Sequence, residues 1–142
     1  YTDENGEKKL PYIIHRTSLG CYERTLAYLI ETYAGALPTW MAPEQVRFLP
    51  VTDRAVDYCK EQAAKLTAQG YRVMVDTRSE KIGKKIRDAQ MEKIPYMLVV
   101  GDRDIEAGMV SPRHRADGDL GAMTLDAFTA VLKDVVDNKL KK

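Results

Sequence analysis

The sequence predicts an α/β protein in which a mixed, mostly parallel sheet is flanked by helices. After residue 44, segments with strand character alternate with amphipathic helical segments, the order of strands joined by crossover helices. The run PYMLVVG at 95–101 is almost continuously apolar, as expected of a central strand covered on both faces. The 142 residues, 44% hydrophobic and 30% charged, are enough for one domain with a sizeable core.

The first segment carries a hairpin signal. Asn5-Gly6 is typical of a type I′ turn, because both central positions of that turn need positive φ. The stretch LPYIIHR at 10–16 has strand character, but only residues 1–4 precede the turn. The first arm of the hairpin is therefore short. Because the chain also begins with Tyr1 rather than Met, we expect it to be processed or cut from something longer.

A helix and a connector follow this segment. The helix has one apolar face, formed by Tyr22, Leu26, Leu29, Ile30 and Tyr33. Gly35 is expected to end it. ALPTWMAP at 36–43 holds two prolines, which fix φ and disfavour helix in the preceding residue, so this stretch is predicted to be extended. We expect a boundary here, between a segment of residues 1–42 and a domain of residues 43–142.

The remaining elements follow from the two side-chain periods of strands and helices. Strands are expected at 45–51, 71–76 and 95–101, and helices at 53–69 and 80–93. Two short strands are expected between Gly108 and Met123. Thr124 is expected to cap a last helix. The apolar face of that helix comprises Leu125, Phe128, Val131, Leu132, Val135 and Val136.

Charge and composition exclude several classes of function. The formal net charge is +1, far from the strongly basic balance of proteins that bind nucleic acid nonspecifically. No apolar run approaches the roughly 18 residues that span a bilayer, so neither DNA nor a membrane is an expected partner. GxGxxG and Walker motifs are absent from the sequence. Cys21 and Cys59 form no CxxC, which indicates free thiols in a reducing compartment, by default the cytoplasm.

Polar residues stand at the carboxyl ends of the predicted strands, where ligands gather in open α/β sheets. These ends carry Thr52, residues 76–81 and residues 101–104. The stretch DTRSEKIGKKIRDAQ at 76–90 lies at a strand-to-helix junction, where main-chain N–H groups favour anions. Its basic side chains are Arg78, Lys81, Lys84, Lys85 and Arg87. The run allows two interpretations, a solvated helix face or an edge that faces phosphate or RNA.

A pair of arginines stands on a predicted strand. Arg113 and Arg115 are separated by His114, and the period of two puts both arginines on one face. Such a pair can read base edges or stay in water. The residues alone leave both interpretations open.

Several long blocks resemble, in order, the C-terminal end of bacterial-type threonyl-tRNA synthetases, which are class II aminoacyl-tRNA synthetases. The blocks are IHRTSLGCYERTLAYLIE, AGALPTWMAPEQV, VDTRSEKIGKKIRDAQMEKIPYMLVVGDRDIE and RHRADGDLGAMTLDAF. The resemblance extends over essentially the whole chain. It implies that residues 43–142 are an anticodon-binding domain, a five-stranded mixed sheet with flanking helices that grips the anticodon loop of threonine tRNA. It implies that residues 1–42 are the strand–turn–helix that ends the catalytic domain.

The stretch LGCYERT resembles the third signature motif of the class II enzymes. The resemblance implies that Arg24 holds the phosphates of ATP and that His15 is one ligand of a zinc ion that binds threonine. In the family, the other zinc ligands and the first two motifs lie upstream. The full-length enzyme, expected to be a homodimer, would use zinc and Mg-ATP. This chain alone is expected to be monomeric, to bind neither group and to be inactive.

The resemblance also implies that six residues contact the anticodon loop. Arg113 matches an arginine placed against the middle base, a guanine whose O6 and N7 fit the arginine fork. Asp104 stands where the family has a longer glutamate that reads the same base, and Ser79 stands where asparagine is common. The other positions expected to face the loop are Lys81, Arg87 and Thr52.

An alternative is a non-catalytic, synthetase-like module that serves protein interaction or regulation. Such a module would ignore the anticodon sequence. The intact ERT turn and His15 argue against it, because a module of that kind need not keep residues of the catalytic domain.

Overall fold

The computed structural model describes residues 1–17 and 20–140. Its helices are α1 (Tyr22–Tyr33), α2 (Ala55–Ala68), α3 (Ile82–Met91), α4 (Asp102–Ala107) and α5 (Leu125–Asp137). Its strands are β1 (Val46–Pro50), β2 (Val73–Val75), β3 (Tyr96–Val100), β4 (Met109–His114), β5 (Gly118–Asp119) and β6 (Met123–Thr124). None of the helices in the described part is long and apolar enough to cross a bilayer.

The strands form one mixed sheet in the order β2-β1-β3-β4-β5. Strand β1 pairs in parallel with β2 and β3, so the carboxyl ends of these three strands lie at one edge. Strand β4 runs antiparallel to β3, β5 and β6. The expected mixed sheet is confirmed, and its five-stranded path gains β6 as a sixth, two-residue strand.

Helices cover both faces of the parallel core. On one face, Phe48 and Leu98 of the sheet pack with Leu66 of α2 and with Phe128 and Leu132 of α5. On the other face, the cluster comprises Leu49, Met97, Ala89, Ile94 and the half-buried Ile82 and Ile86. Strand β1 is buried along its whole length, which is the reason that its sequence lacks alternation.

The last helix begins as predicted. The Thr124 hydroxyl accepts a hydrogen bond from the Ala127 N–H at 3.3 Å and caps α5. Of the predicted apolar face, Phe128, Leu132 and Val135 are buried, whereas Val131 is 40% exposed at its margin.

The strand predicted at 10–16 is wrong, because these residues form neither a strand nor a helix. Leu10, Tyr12 and Ile13 are almost fully exposed, since no strand of the described residues lies beside them. The predicted type I′ turn is also wrong. The turn is closed by the Gly6 N–H and the Asp3 carbonyl at 2.9 Å, and of the two central residues of the predicted turn only Gly6 has positive φ.

Helix α4 was not predicted. It has six residues, too few for a helical period to show in the sequence. Its first turn is closed by the Asp104 carboxylate, which accepts from the Gly101 N–H at 2.8 Å. Helix α1, by contrast, was predicted and contains no buried residue. It ends in left-handed backbone at Ala34 and Gly35, in agreement with the helix end expected at the glycine.

Candidate nucleic-acid interface

An open cleft of about 490 Å³ lies at the carboxyl ends of β1 and β2. Three predicted site residues, Thr52, Ser79 and Lys81, line it together. The parallel pairing of the two strands explains this, because both chains leave the sheet at the same edge. The Thr52 hydroxyl lies 3.0 Å from the Asp102 carboxylate, which connects the cleft to α4. The role of these residues in binding stays a prediction.

Two basic residues beside the cleft, Arg78 and Lys84, form ion pairs with carboxylates. The Arg78 guanidinium bonds Asp76 at 2.7 Å and Asp88 at 3.0 Å, and these two hydrogen bonds raise the pKa of Arg78. The Lys84 Nζ lies 2.5 Å from a carboxylate oxygen of Glu80, four residues earlier in the chain. For these two residues, the structure favours the interpretation as a solvated, ion-paired surface.

Lys85 was grouped with the exposed basic residues in the sequence, but it is buried. Its ammonium donates to the carbonyls of Pro50 at 3.1 Å and Asp76 at 3.2 Å. These carbonyls stand at the end of β1 and directly after β2. Lys85 therefore joins the two strand ends from which the cleft is built.

Lys81 and Arg87 remain without a committed partner. Both are exposed, and within residues 1–17 and 20–140 neither side chain has an ion pair or hydrogen bond. Lys81 stands at the start of α3 and Arg87 in its second turn. The basic run therefore contains three cations with partners and two, Lys81 and Arg87, whose charge is available to a ligand.

Arg113 and Asp104 belong to a second surface, on β4 and α4. Arg113 lies opposite Met97 in the sheet register, so it shares the face on which α3 packs. Its guanidinium is 3.4 Å from Asp119, and its buried Nε has no hydrogen-bond partner in the described residues. The Asp104 carboxylate accepts hydrogen bonds from the Gly101 N–H at 2.8 Å and from the Ser111 hydroxyl at 2.9 Å. Asp104 therefore shapes the turn at α4, whatever else it binds.

That Arg115 shares a face with Arg113 stays a prediction: β4 ends at His114, but the Arg115 N–H continues the antiparallel pairing by donating to the Pro95 carbonyl at 3.0 Å. The Arg115 side chain is not free for a base edge. The Arg115 guanidinium instead donates to three carbonyls, those of Lys93 at 2.9 Å, Ala36 at 2.9 Å and Leu37 at 2.7 Å. Burial lowers the pKa of Arg115, and its role is to hold the connector.

Other side chains hold the connector in the same way. Arg72 donates to the carbonyls of Ala42 at 2.8 Å and Trp40 at 3.0 Å. The Lys93 ammonium donates to the carbonyl of Ala34, which lies at the end of α1 just before the connector. These donors stand beside the amino ends of the parallel strands, at the edge of the sheet opposite the cleft.

His15 and Arg24 lie together in a different part of the chain. They line an open cleft of about 560 Å³ before and at the start of α1, where both side chains are exposed. Leu19, part of the motif-like LGCYERT, lies outside the described residues. In the described residues no group of three His, Cys, Asp or Glu side chains is placed to hold a metal ion. His15 is thus a single candidate ligand, and its zinc role stays a prediction.

Sequence reasoning missed two residues that line the cleft beside Thr52. Val51 and Asp53 follow the end of β1, and both border the same space as Ser79 and Lys81. Their position directly after a buried strand was the available signal, since every residue there lies near the carboxyl edge.

The described residues thus form an α/β domain with a mixed sheet, and the cleft at its carboxyl edge is lined by Lys81, an exposed cation without a partner among them. The family model described as "Anticodon binding domain" matches residues 45–135, and the chain belongs to this family.

The chain is also similar to individual proteins. It is 53% identical over 139 residues to the threonine–tRNA ligase of Clostridium botulinum (strain Eklund 17B / Type B), a match that covers 98% of this chain and 22% of that protein. It is 57% identical over 128 residues to that of Clostridium perfringens (strain SM101 / Type A), covering 90% of this chain and 20% of the relative. The chain thus spans about a fifth of the length of these relatives.

Among solved structures, the chain resembles the RNA-binding domain of threonyl-tRNA synthetase from Cryptosporidium parvum Iowa II. The TM-score is 0.75 at 31% sequence identity, and the match covers 79% of this chain and 28% of that one.

Proposed function

We propose that the chain binds the anticodon loop of threonine tRNA as the anticodon-binding part of a threonine–tRNA ligase, which joins threonine to its tRNA with ATP. The observation that carries this proposal is the exposed Lys81, which lines a cleft of a domain that belongs to the anticodon-binding family. Neither Lys81 nor Arg87, further along α3, has an ion pair or side-chain hydrogen bond within the described residues. RNA loops expose unstacked bases, so a few well-placed side chains suffice at a net charge of +1.

Arg113 would read the middle base of the anticodon. Its contact with Asp119 is long, at 3.4 Å, and uses only Nη1, so the other terminal nitrogen of this partly exposed guanidinium has no partner in the described residues and is left for a ligand. The O6 and N7 atoms of guanine are acceptors spaced for an arginine fork. Asp104 would accept from the guanine amino group, because each carboxylate oxygen keeps a lone pair beyond its bond to Gly101 or Ser111.

The hydroxyls of Thr52 and Ser79 would contribute further contacts in the cleft, together with Lys81. Arg87 would approach the loop from the exposed side of α3. These contacts go to the sugar–phosphate backbone in our proposal and therefore position the loop, whereas Arg113 and Asp104 specify its sequence.

Residues 1–42 would belong to the catalytic part of the ligase, with the boundary before residue 43. There Arg24 would bind the phosphates of Mg-ATP, and His15 would be one of several ligands of a zinc ion that contacts the amino and hydroxyl groups of threonine. The exposed Leu10, Tyr12 and Ile13 support a neighbouring surface that covers them. We expect the chain alone to be monomeric and inactive, the ligase to be dimeric, and both to work in the cytoplasm.

The test is a titration of the chain with the anticodon stem-loop of threonine tRNA and with the same loop whose middle guanine is adenine. Salt must be constant, because phosphate contacts weaken steeply as it rises. We expect a preference of at least about tenfold, or 1.4 kcal/mol, for guanine. The preference should shrink in Arg113→Ala. Equal binding to both loops would contradict base reading and favour the alternative of a protein-interaction module.

A further inference from the structure

Lys85 is an unusual lysine because it is only 4% exposed. Lysines are almost never fully buried unless they are paired. Within residues 1–17 and 20–140, no carboxylate forms an ion pair with the Lys85 ammonium. Its charge is held by two main-chain carbonyls instead, so the burial has a cost that packing alone does not explain.

The two carbonyls place the ammonium between the two chain segments that line the cleft, one after β1 and one after β2. They belong to Pro50, which ends β1, and Asp76, which follows β2. Two predicted site residues, Thr52 and Ser79, follow these carbonyls by two and three residues. Lys85 thus sets the spacing of the segments that carry them, and it also lines the cleft itself.

One donor of this ammonium is unused. A lysine ammonium has three N–H donors, and two are taken by the carbonyls of Pro50 and Asp76. The described residues supply no third acceptor. Because Lys85 lines the open cleft, this third donor can bind an oxygen atom of water or of a ligand there.

The surroundings favour an anionic oxygen. Helix α3 has ten residues and begins after Lys81, whose side chain does not cap it. The first N–H groups of the helix and the positive end of its dipole therefore lie near Lys81, at the rim of the cleft. Glu80, the acidic residue before the helix, pairs with Lys84.

We propose that Lys85 is a buried phosphate-binding residue, whose ammonium donates its third hydrogen bond to a backbone phosphate oxygen of the anticodon loop. This inference rests on the proposed function. A phosphate contact carries no sequence information. Removal of the ammonium should therefore weaken binding to the guanine loop and the adenine loop by the same factor, and leave the preference between them unchanged.

The first experiment uses the unaltered 142-residue chain. The ¹⁵N-labelled Lys85 ammonium is observed by NMR during titration with the anticodon stem-loop. We expect its resonance to shift in step with complex formation. An unshifted Lys85 ammonium in the saturated complex would overturn the inference. This readout needs no variant and is therefore independent of any loss of folding.

The second experiment compares Lys85→Met with Lys84→Met, a neighbour that is exposed and paired with Glu80. We expect Lys85→Met to lose about tenfold in affinity for both loops, and the slope of log affinity against log salt to fall by about one. Lys84→Met should stay within about twofold. Unfolding curves of both variants restrict the comparison to folded protein.

Loops with one uncharged methylphosphonate at a time separate a phosphate contact from a base contact. One position should weaken binding to the unaltered chain and have little effect on Lys85→Met. Additive losses at every position would overturn the phosphate assignment. If the chain binds neither loop, the proposed function and this inference both fail. If the chain binds and prefers the guanine loop but the resonance of the Lys85 ammonium does not shift, only this inference fails.

Discussion

The two edges of the parallel sheet use basic side chains in different ways. At the edge formed by the amino ends, Arg72 and Arg115 donate to carbonyls of the connector, and Lys93 donates to the carbonyl of Ala34 at the end of α1. At the edge formed by the carboxyl ends, Arg78 and Lys85 also have partners, but Lys81 has none in the described residues, and neither has Arg87 in the second turn of α3. Basic residues are thus structural at the first edge, whereas the second edge also carries a cation that is available to a ligand.

The main chain explains where those acceptors are. The connector contains Pro38 and Pro43, which exclude regular structure and leave carbonyls without main-chain donors. Basic side chains satisfy these carbonyls. At the opposite edge, Arg78, Lys84 and Lys85 already bind the nearby carboxylates and carbonyls, and α3 presents the N–H donors of its first turn. Lys81 and Arg87 find no acceptor among the described residues and are available to an anionic partner.

The largest expected effect is at the amino edge. Arg115→Met removes the donors of three carbonyls, and we expect the free energy of unfolding to fall by about 2–3 kcal/mol. Urea denaturation measures this loss. The control is Lys60→Met, an exposed cation 3.6 Å from Asp57, which should change stability by less than about 0.5 kcal/mol. Equal effects of the two substitutions would contradict the structural role of Arg115.

Asp104, in the helix that follows the carboxyl end of β3, tests whether this edge of the sheet also contains residues that stabilise the fold. Asp104→Ala removes the acceptors of Gly101 and Ser111, and we expect a loss of about 1–2 kcal/mol in the free energy of unfolding. Affinity for the stem-loop should fall as well, measured on folded protein. A variant with unchanged stability would show that the α4 turn does not depend on this carboxylate.

A pH titration examines the ion pair beside the cleft. Hydrogen bonds from Arg78 hold the pKa of Asp76 below its ordinary value of 3.8. Because the folded state favours the ionised form, this stabilisation is present above pH 3.8 and is lost as the pH falls through the lower folded pKa. Asp76→Asn should lose about 1 kcal/mol of stability at neutral pH and depend less on pH below about 4. An equally steep acid loss in both proteins would refute this.

The smallest effect on stability is expected for the free cations. Lys81→Met and Arg87→Met should each change the free energy of unfolding by less than about 0.5 kcal/mol. Each should weaken stem-loop binding severalfold and lower the salt slope by about one. Binding measured at three salt concentrations provides both values, with Lys60→Met as the control. Unchanged affinity in both variants would show that Lys81 and Arg87 do not contact the stem-loop, and would contradict the difference between the two edges.

Local pattern predicted much of the fold. The buried runs of β1 and β3 and the apolar faces of α2, α3 and α5 are features of composition and period, which do not depend on distant residues. The strand expected at 10–16 failed because a strand needs a neighbour, and no described strand lies beside it. Helix α4 was missed because six residues show no period. Pattern placed Arg113 on a strand and Asp104 at a strand end but left their roles open, and the resemblance pointed to both as readers of one base.

The sequence by itself determined the α/β class, the order of the main elements and the family resemblance, because these depend on side-chain periods and on blocks of contiguous residues. Only the tertiary structure decided which cations are available. Lys85 and Lys81 are both lysines of one basic run, yet one is buried against carbonyls of two strands and the other is exposed. The partner of a charge is set by residues far apart in the chain, which the fold brings together.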